Sequence, residues 1–163
     1  MPEKSPLDVI ELKIPAKADY VGVVRLLVSG LANRMGFAYD DIEDVKVAVA
    51  EACTNVVTHA RLETEENIHV ECNVYSDRLS ITVADRGASF NVEQIEKQIG
   101  PIDTKQPYSA IREGGLGIYL MRSLMDHVNI TSREGVVVRM TKLLQRDEVE
   151  RHAHTATETP RSQ

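Results

Sequence analysis

Glu51 and Asn55 stand four residues apart in Glu51-Ala-Cys-Thr-Asn55, so on a helix they project from one face. A carboxylate and a carboxamide aimed the same way can divide labour. Glutamate can accept a proton or orient a nucleophile, and asparagine offers a neutral carbonyl oxygen to a hard cation such as Mg²⁺ that phosphates also hold. Taken alone, the pair also fits a polar strip on a solvated face. Asp85 ends an apolar run and is followed by Arg86-Gly87. A carboxylate there can accept a hydrogen bond from an exocyclic amine while the glycine lets a planar ring lie against backbone, although Asp and Gly equally make an ordinary turn. The third stretch is Arg112-Glu113-Gly114-Gly115-Leu116-Gly117, which leads into the apolar-periodic run Ile118 to Met125. Glycines before a helix let main-chain N–H groups crowd together, and the helix N-terminus adds partial positive charge. Such a turn is a tight packing junction or a cradle for an anion such as phosphate.

These residues need elements to carry them. Val9 to Ile14 alternates and reads as a strand closed by Pro15. Asp19 is placed to cap a helix reaching about Met35, with Gly36 at its stop. Arg25 falls on the flank of that helix's apolar stripe, where it reads as a solvated charge. Asp40 and Asp41 open a second helix, ending near His59-Ala60, that carries Glu51 and Asn55. Ile68 to Tyr75 and Leu79 to Ala84 form a hairpin whose second strand delivers Asp85. From Ala88 to Glu113 the pattern is broken, with a short helix over Asn91 to Gln98; a connection this long between two candidate binding motifs reads as a lid. A helix over 117–126 and strands Val128 to Thr131 and Val136 to Leu144 complete the pattern.

Adjacent hairpins require antiparallel pairing, which gives an α+β two-layer sandwich: a mixed, mainly antiparallel sheet with helices on one face. The expected division is a flexible N-terminus at 1–8, one domain at 9–144 with its lid at 88–113, and a disordered tail at 145–163, which is polar and lacks apolar periodicity.

Composition narrows the partners. At 163 residues with 42% hydrophobic content, the chain can bury an aliphatic core, because it has no Trp and two Phe. Few rings are left for stacking bases, and a formal charge of −6 without a basic stripe argues against direct DNA binding. Cys53 and Cys72 sit within apolar patterns and read as buried free thiols in a reducing compartment. The N-terminus lacks the apolar core of a signal peptide and no run reaches membrane-spanning length, so a cytoplasmic location without membrane contact is expected.

The three motifs, in this order and spacing, resemble the GHKL ATPase family: Glu51 to Asn55 its N box, Asp85-Arg-Gly87 its G1 box, Gly115-Leu-Gly117 its G2 box. Within that family, Glu51-Ala-Cys-Thr-Asn-Val-Val-Thr-His59 and Gly114-Gly-Leu-Gly-Ile-Tyr-Leu-Met121 are similar to the small anti-sigma serine kinases. The resemblance spans roughly residues 7–144. It implies a Bergerat ATP-binding fold and an ATP- and Mg²⁺-dependent protein-serine kinase. It further implies a homodimer that sequesters a sigma factor and phosphorylates an anti-anti-sigma protein. Residue by residue, it implies that Glu51 is the general base, Asn55 the Mg²⁺ ligand and Asp85 the acceptor of the adenine amine. Gly87 would line the base pocket, and Gly114, Gly115, Leu116 and Gly117 would form the phosphate turn. Lys105 or Arg112 would lie near the γ-phosphate, and Arg25 would meet the protein partners. One departure stands out: where relatives carry threonines, one supporting the adenine contact, this chain has Val136-Val137-Val138. Two alternatives accompany this reading. One is a non-catalytic nucleotide-binding regulatory module; the other is a histidine-kinase-like ATPase domain, disfavoured because little chain precedes the first strand to hold a dimerisation helix and phospho-acceptor.

Overall fold

The computed structural model describes residues 4–59, 67–85, 115–132 and 136–145. Five strands form one sheet: β1 (Asp8–Pro15), β2 (Asn67–Val74), β3 (Arg78–Ala84), β4 (His127–Ser132) and β5 (Val136–Leu143). The helices are α1 (Val21–Met35), α2 (Tyr39–His59) and α3 (Gly115–Leu124). The strand order is β1-β2-β3-β5-β4, and every pairing is antiparallel, the pure case of the mainly antiparallel sheet expected. The Asn91–Gln98 helix, the lid and nearly all of the tail lie outside the described residues.

Strand parity decides what faces the helices. Ile68, Val70 and Cys72 of β2, Leu79, Ile81 and Val83 of β3, and Val138 and Met140 of β5 are all buried at alternate positions. Against them α2 lays Val45, Ala48, Val49, Ala52, Cys53 and Val56, the three-and-four spacing of a helical stripe. The small residues in that stripe let the helix lie close to the sheet. On its flanks α2 packs against both α1 and α3.

Two boundaries differ from the sequence reading. Asp19 does not cap α1: a 3-10 turn at Ala18–Tyr20 precedes the helix, and Tyr20 occupies the N-cap without a side-chain bond. The 3-10 turn absorbs the polar residue that a cap would have used. At the other end, Gly36 terminates α1 as expected, at φ +88°, with its N–H donating to the carbonyls of Ala32 and Asn33. A methyl group there would meet nothing within 4 Å, so its cost is backbone strain alone. Gly36→Ala should lower stability by about 1 kcal/mol in urea unfolding, with an unchanged denaturant slope.

Both cysteines are buried and free, as the pattern indicated. Burial pushes the Cys53 thiol up to about 12, the nearby Cys72 adding to the effect; burial, helped by Glu71, pushes Cys72 up to about 12 as well. The folded chain therefore holds these protons where the unfolded chain, with thiols near ~8.5, releases them, so stability must fall as pH rises from about 9 towards 12. Neither thiol should react with a disulfide reagent at pH 8 until denaturant is added; rapid labelling of the native protein would contradict this burial.

Candidate active site

Asp85 follows directly on β3, and its place in the strand alternation sends its side chain the same way as Leu79, Ile81 and Val83, towards the helices. Its backbone N–H donates to the Val136 carbonyl at 2.9 Å, which fixes the strand end against the start of β5. The residue is 3% exposed, and its Oδ2 atom is closed to solvent. A carboxylate is thus held at the floor of an otherwise apolar interior.

Above it opens a cleft lined by Asn55 of α2, Ile118 and Met121 of α3, Val136 and Val138 of β5, and Asp85 itself. Its lining sets two polar side chains, Asn55 and Asp85, among apolar ones. That distribution suits a flat heterocycle that places an N–H donor at Asp85 and polar substituents towards Asn55. Val136 and Val138 form one wall of the cleft, so apolar side chains rather than hydroxyl groups stand on this side of it.

The glycine turn and the Glu51–Asn55 pair converge beside this cleft, which Asn55 also lines. Glu51 and Asn55 lie beside the buried stripe of α2, both half-buried, one position before Ala52 and Val56. Gly117 is buried opposite them: a Cβ built on it would stand 3.0 Å from Glu51 Oε2 and 3.6 Å from Asn55 Oδ1. Among the described residues only Gly36 has a positive φ, so Gly117 is needed for close approach rather than for an unusual backbone. Helix α3 begins at Gly115, two residues earlier than the periodicity indicates, which puts Gly115, Leu116 and Gly117 in its first turn. The first N–H groups of a helix have no partner within it, so this turn presents donors beside Glu51 and Asn55.

The structure therefore brings together Glu51, Asn55, Asp85 and the Gly115–Gly117 turn. Arg25 lies apart, exposed on α1 beside Val23 and Leu26, which are 44% and 76% exposed. Gly87, Lys105, Arg112 and Gly114 lie outside the described residues. Sequence reasoning missed Lys142, a lysine at an inward position of β5 with 9% exposure. The signal was present as parity: Val136, Val138, Met140 and Lys142 share one face.

Helices on one face of an antiparallel sheet, with a carboxylate at the sheet floor and a glycine-opened helix start packed on α2, define a histidine kinase-like ATPase domain. The model of that family, "Histidine kinase-like ATPase domain", matches residues 14–142. Serine-protein kinase RsbW of Bacillus cereus is 52% identical over 141 residues, 86% of this chain and 88% of that protein. The RsbW of Bacillus mycoides matches at the same identity and coverage. The chain belongs to the RsbW serine-protein kinases of this ATPase family. Among solved structures, the RsbU and RsbW domains of a Mycobacterium tuberculosis protein superpose with a TM-score of 0.63 at 18% identity, over 88% of this chain and 34% of that one. The SiaB-SiaC complex of Pseudomonas aeruginosa gives 0.53 at 11% identity, over 83% and 88%. At these identities both likenesses concern the fold. Among the described residues no helix is long and apolar enough to cross a membrane.

The contact at Gly117 gives a direct test of how the site is built. Gly117→Ala should leave the melting temperature within a few degrees, since alanine is at home in a helix and the atom it meets ends a flexible side chain. It should displace the Glu51 carboxylate and lower catalytic turnover roughly tenfold or more, because small misplacements of a reacting group are expensive.

Proposed function

We propose that this protein is a switch that sequesters an alternative sigma factor and uses ATP to phosphorylate a serine of its anti-anti-sigma antagonist. The observation that carries the reading is the packing of Gly117 against Glu51 and Asn55, the second of which lines one cleft together with the buried Asp85. The names of its relatives, serine-protein kinases, support the same reaction.

In this reading Asp85 accepts a hydrogen bond from the adenine amine, with Gly87 beside the ring. The first-turn N–H groups of α3, from Gly115, Leu116 and Gly117, meet phosphate oxygens, with Gly114 ahead of them and Lys105 or Arg112 supplied by the lid at 88–113. Glu51 takes the proton from the substrate serine hydroxyl as the serine oxygen attacks the γ-phosphorus, and the bond from that phosphorus to the β–γ bridging oxygen breaks, so that ADP leaves with the bridging oxygen. The described residues hold no group of three or more His, Cys, Asp and Glu able to bind a metal unaided. The Asn55 carboxamide suits the lesser task of adding one oxygen to Mg²⁺ held mainly by phosphates and water. When bound, that ion would neutralise charge on the phosphates. Arg25, exposed on α1, faces the protein partners. We place the protein in the cytoplasm as a homodimer, acting in stress-responsive transcription without contacting DNA, with 9–144 as the working domain.

Phosphoryl transfer from γ-labelled ATP to a purified anti-anti-sigma protein tests the proposal. Glu51→Ala should bind ATP with near wild-type affinity and lose transfer by about 10²- to 10⁴-fold, the usual worth of a positioned base. Asp85→Asn should instead weaken ATP binding by about 10-fold or more, since a charge-assisted hydrogen bond is lost at a buried site. ATP binding by the wild type without transfer to any such partner would leave a non-catalytic nucleotide-binding module in its place.

A further inference from the structure

An inward-facing lysine on a central strand breaks the pattern that the rest of β5 obeys, and its contacts show what it holds. Lys142 Nζ donates to the Leu124 carbonyl at 2.6 Å, lies 3.3 Å from Asp44 Oδ2 and 3.7 Å from Asp41 Oδ1. Leu124 is the last residue of α3, and the two aspartates lie in the opening turns of α2. One ammonium therefore joins three elements: the strand that carries it, the C-terminal end of α3 and the N-terminal end of α2. The end of α3 favours it through the partial negative charge of its terminal carbonyls, and at α2 the full charges of Asp41 in the first turn and Asp44 in the second outweigh the partial positive charge of that helix end. The adjoining corner is also fixed: the Leu143 N–H donates to Asp126 Oδ2 at 2.7 Å, and the Asp126 N–H to the Thr141 carbonyl at 3.0 Å.

The placement matters because α2 and α3 touch at a second point. Gly117 meets Glu51 at one end of the helix pair, and Leu124 meets Asp44 through Lys142 at the other. On each helix the two points are seven residues apart, about 10 Å along the axis. The helices run antiparallel and are pinned at both ends, with matching lever arms. At the glycine end Gly117 itself has no side chain to interlock. Beyond the apolar packing of Ile118 and Met121, the polar contacts at the other end are what can hold the register.

We propose that Lys142 is a positioning residue: through the Leu124 carbonyl and the Asp41 and Asp44 carboxylates, it fixes the register of α3 on α2, and so the depth at which Gly117 and its neighbouring N–H groups sit against Glu51 and Asn55. This rests on the phosphoryl-transfer reading above. Lys142 stands six residues along β5 from Val136, whose carbonyl accepts from the Asp85 N–H, so its influence reaches the site through the helix pair rather than through Asp85.

A double-mutant cycle between Lys142→Met and Gly117→Ala tests this, read as kcat and KM for ATP. Lys142→Met should lower kcat at least about 10-fold while KM changes less than about 3-fold; Lys142→Arg, which keeps charge and donor, should recover most of the loss. The double variant should be no more than about twofold slower than the worse single one, because both changes disturb one contact. Sites about 10 Å apart without a shared partner would instead give the product of the two losses. That multiplicative result, or a normal kcat in a folded Lys142→Met, would overturn the assignment. Should Lys142→Met fail to melt cooperatively, Asp44→Asn takes its place in the cycle, with the same non-multiplicative result expected. The cycle is also read as the ratio of ATP to ADP affinity by calorimetry, which requires no turnover. A wild type that binds ATP without transferring phosphate therefore refutes the kinase reading, while additive effects on that ratio refute the role of Lys142.

Discussion

The close approach of α3 to α2 at Gly117 is the constraint on which the remainder depends. A carboxylate, a carboxamide and the open N–H groups of a helix start occupy one small region only if the two helices lie closer than ordinary side chains permit. The alanines and Cys53 in the buried stripe of α2 answer the same demand on the sheet side, letting that helix sink onto β3 and β5. The scarcity of large aromatic residues is in keeping with this, since a thin aliphatic layer keeps the sheet floor within reach of the helix termini.

The sheet sets the second coordinate. Strand alternation alone decides whether the residue after β3 points at the helices or at solvent, and Asp85 falls on the helix side. Its backbone bond to Val136 then ties that carboxylate to β5, the strand that also supplies the cleft wall and Lys142. One strand thus carries both the cleft wall and the lysine that joins the two helices. The valines at 136 and 138 make the surroundings of Asp85 drier than hydroxyl side chains would, which strengthens any hydrogen bond its carboxylate accepts.

Much of this was legible from residue order. The alternation at 9–14 and 68–84, the helical spacing through 45–56 and the glycine after Met35 led to the right elements within a few residues. The four-residue interval between Glu51 and Asn55 placed them correctly on one face. What escaped was set by tertiary contact. Local capping rules favoured Asp19 because they see one chain segment, whereas a 3-10 turn supplied the entry to α1. Periodicity started α3 at 117 because glycines carry no hydropathy signal, although they are helical there. Lys142 was hidden because a charged residue in a strand reads as solvent-facing until its partners, 98 positions away in the case of Asp44, are known. Gly87, Lys105 and Arg112, named from motif order alone, lie outside the described residues.

The strand order has a consequence for how the molecule comes into being. Because β5 lies between β3 and β4 rather than at an edge, the sheet cannot close until the last strand in chain order is inserted. During synthesis β1, β2, α1 and α2 can associate early, whereas the cleft wall at Val136 and Val138 and the ammonium of Lys142 emerge after every other described strand and helix. The nascent chain therefore lacks a complete cleft, which forms only as β5 joins the sheet.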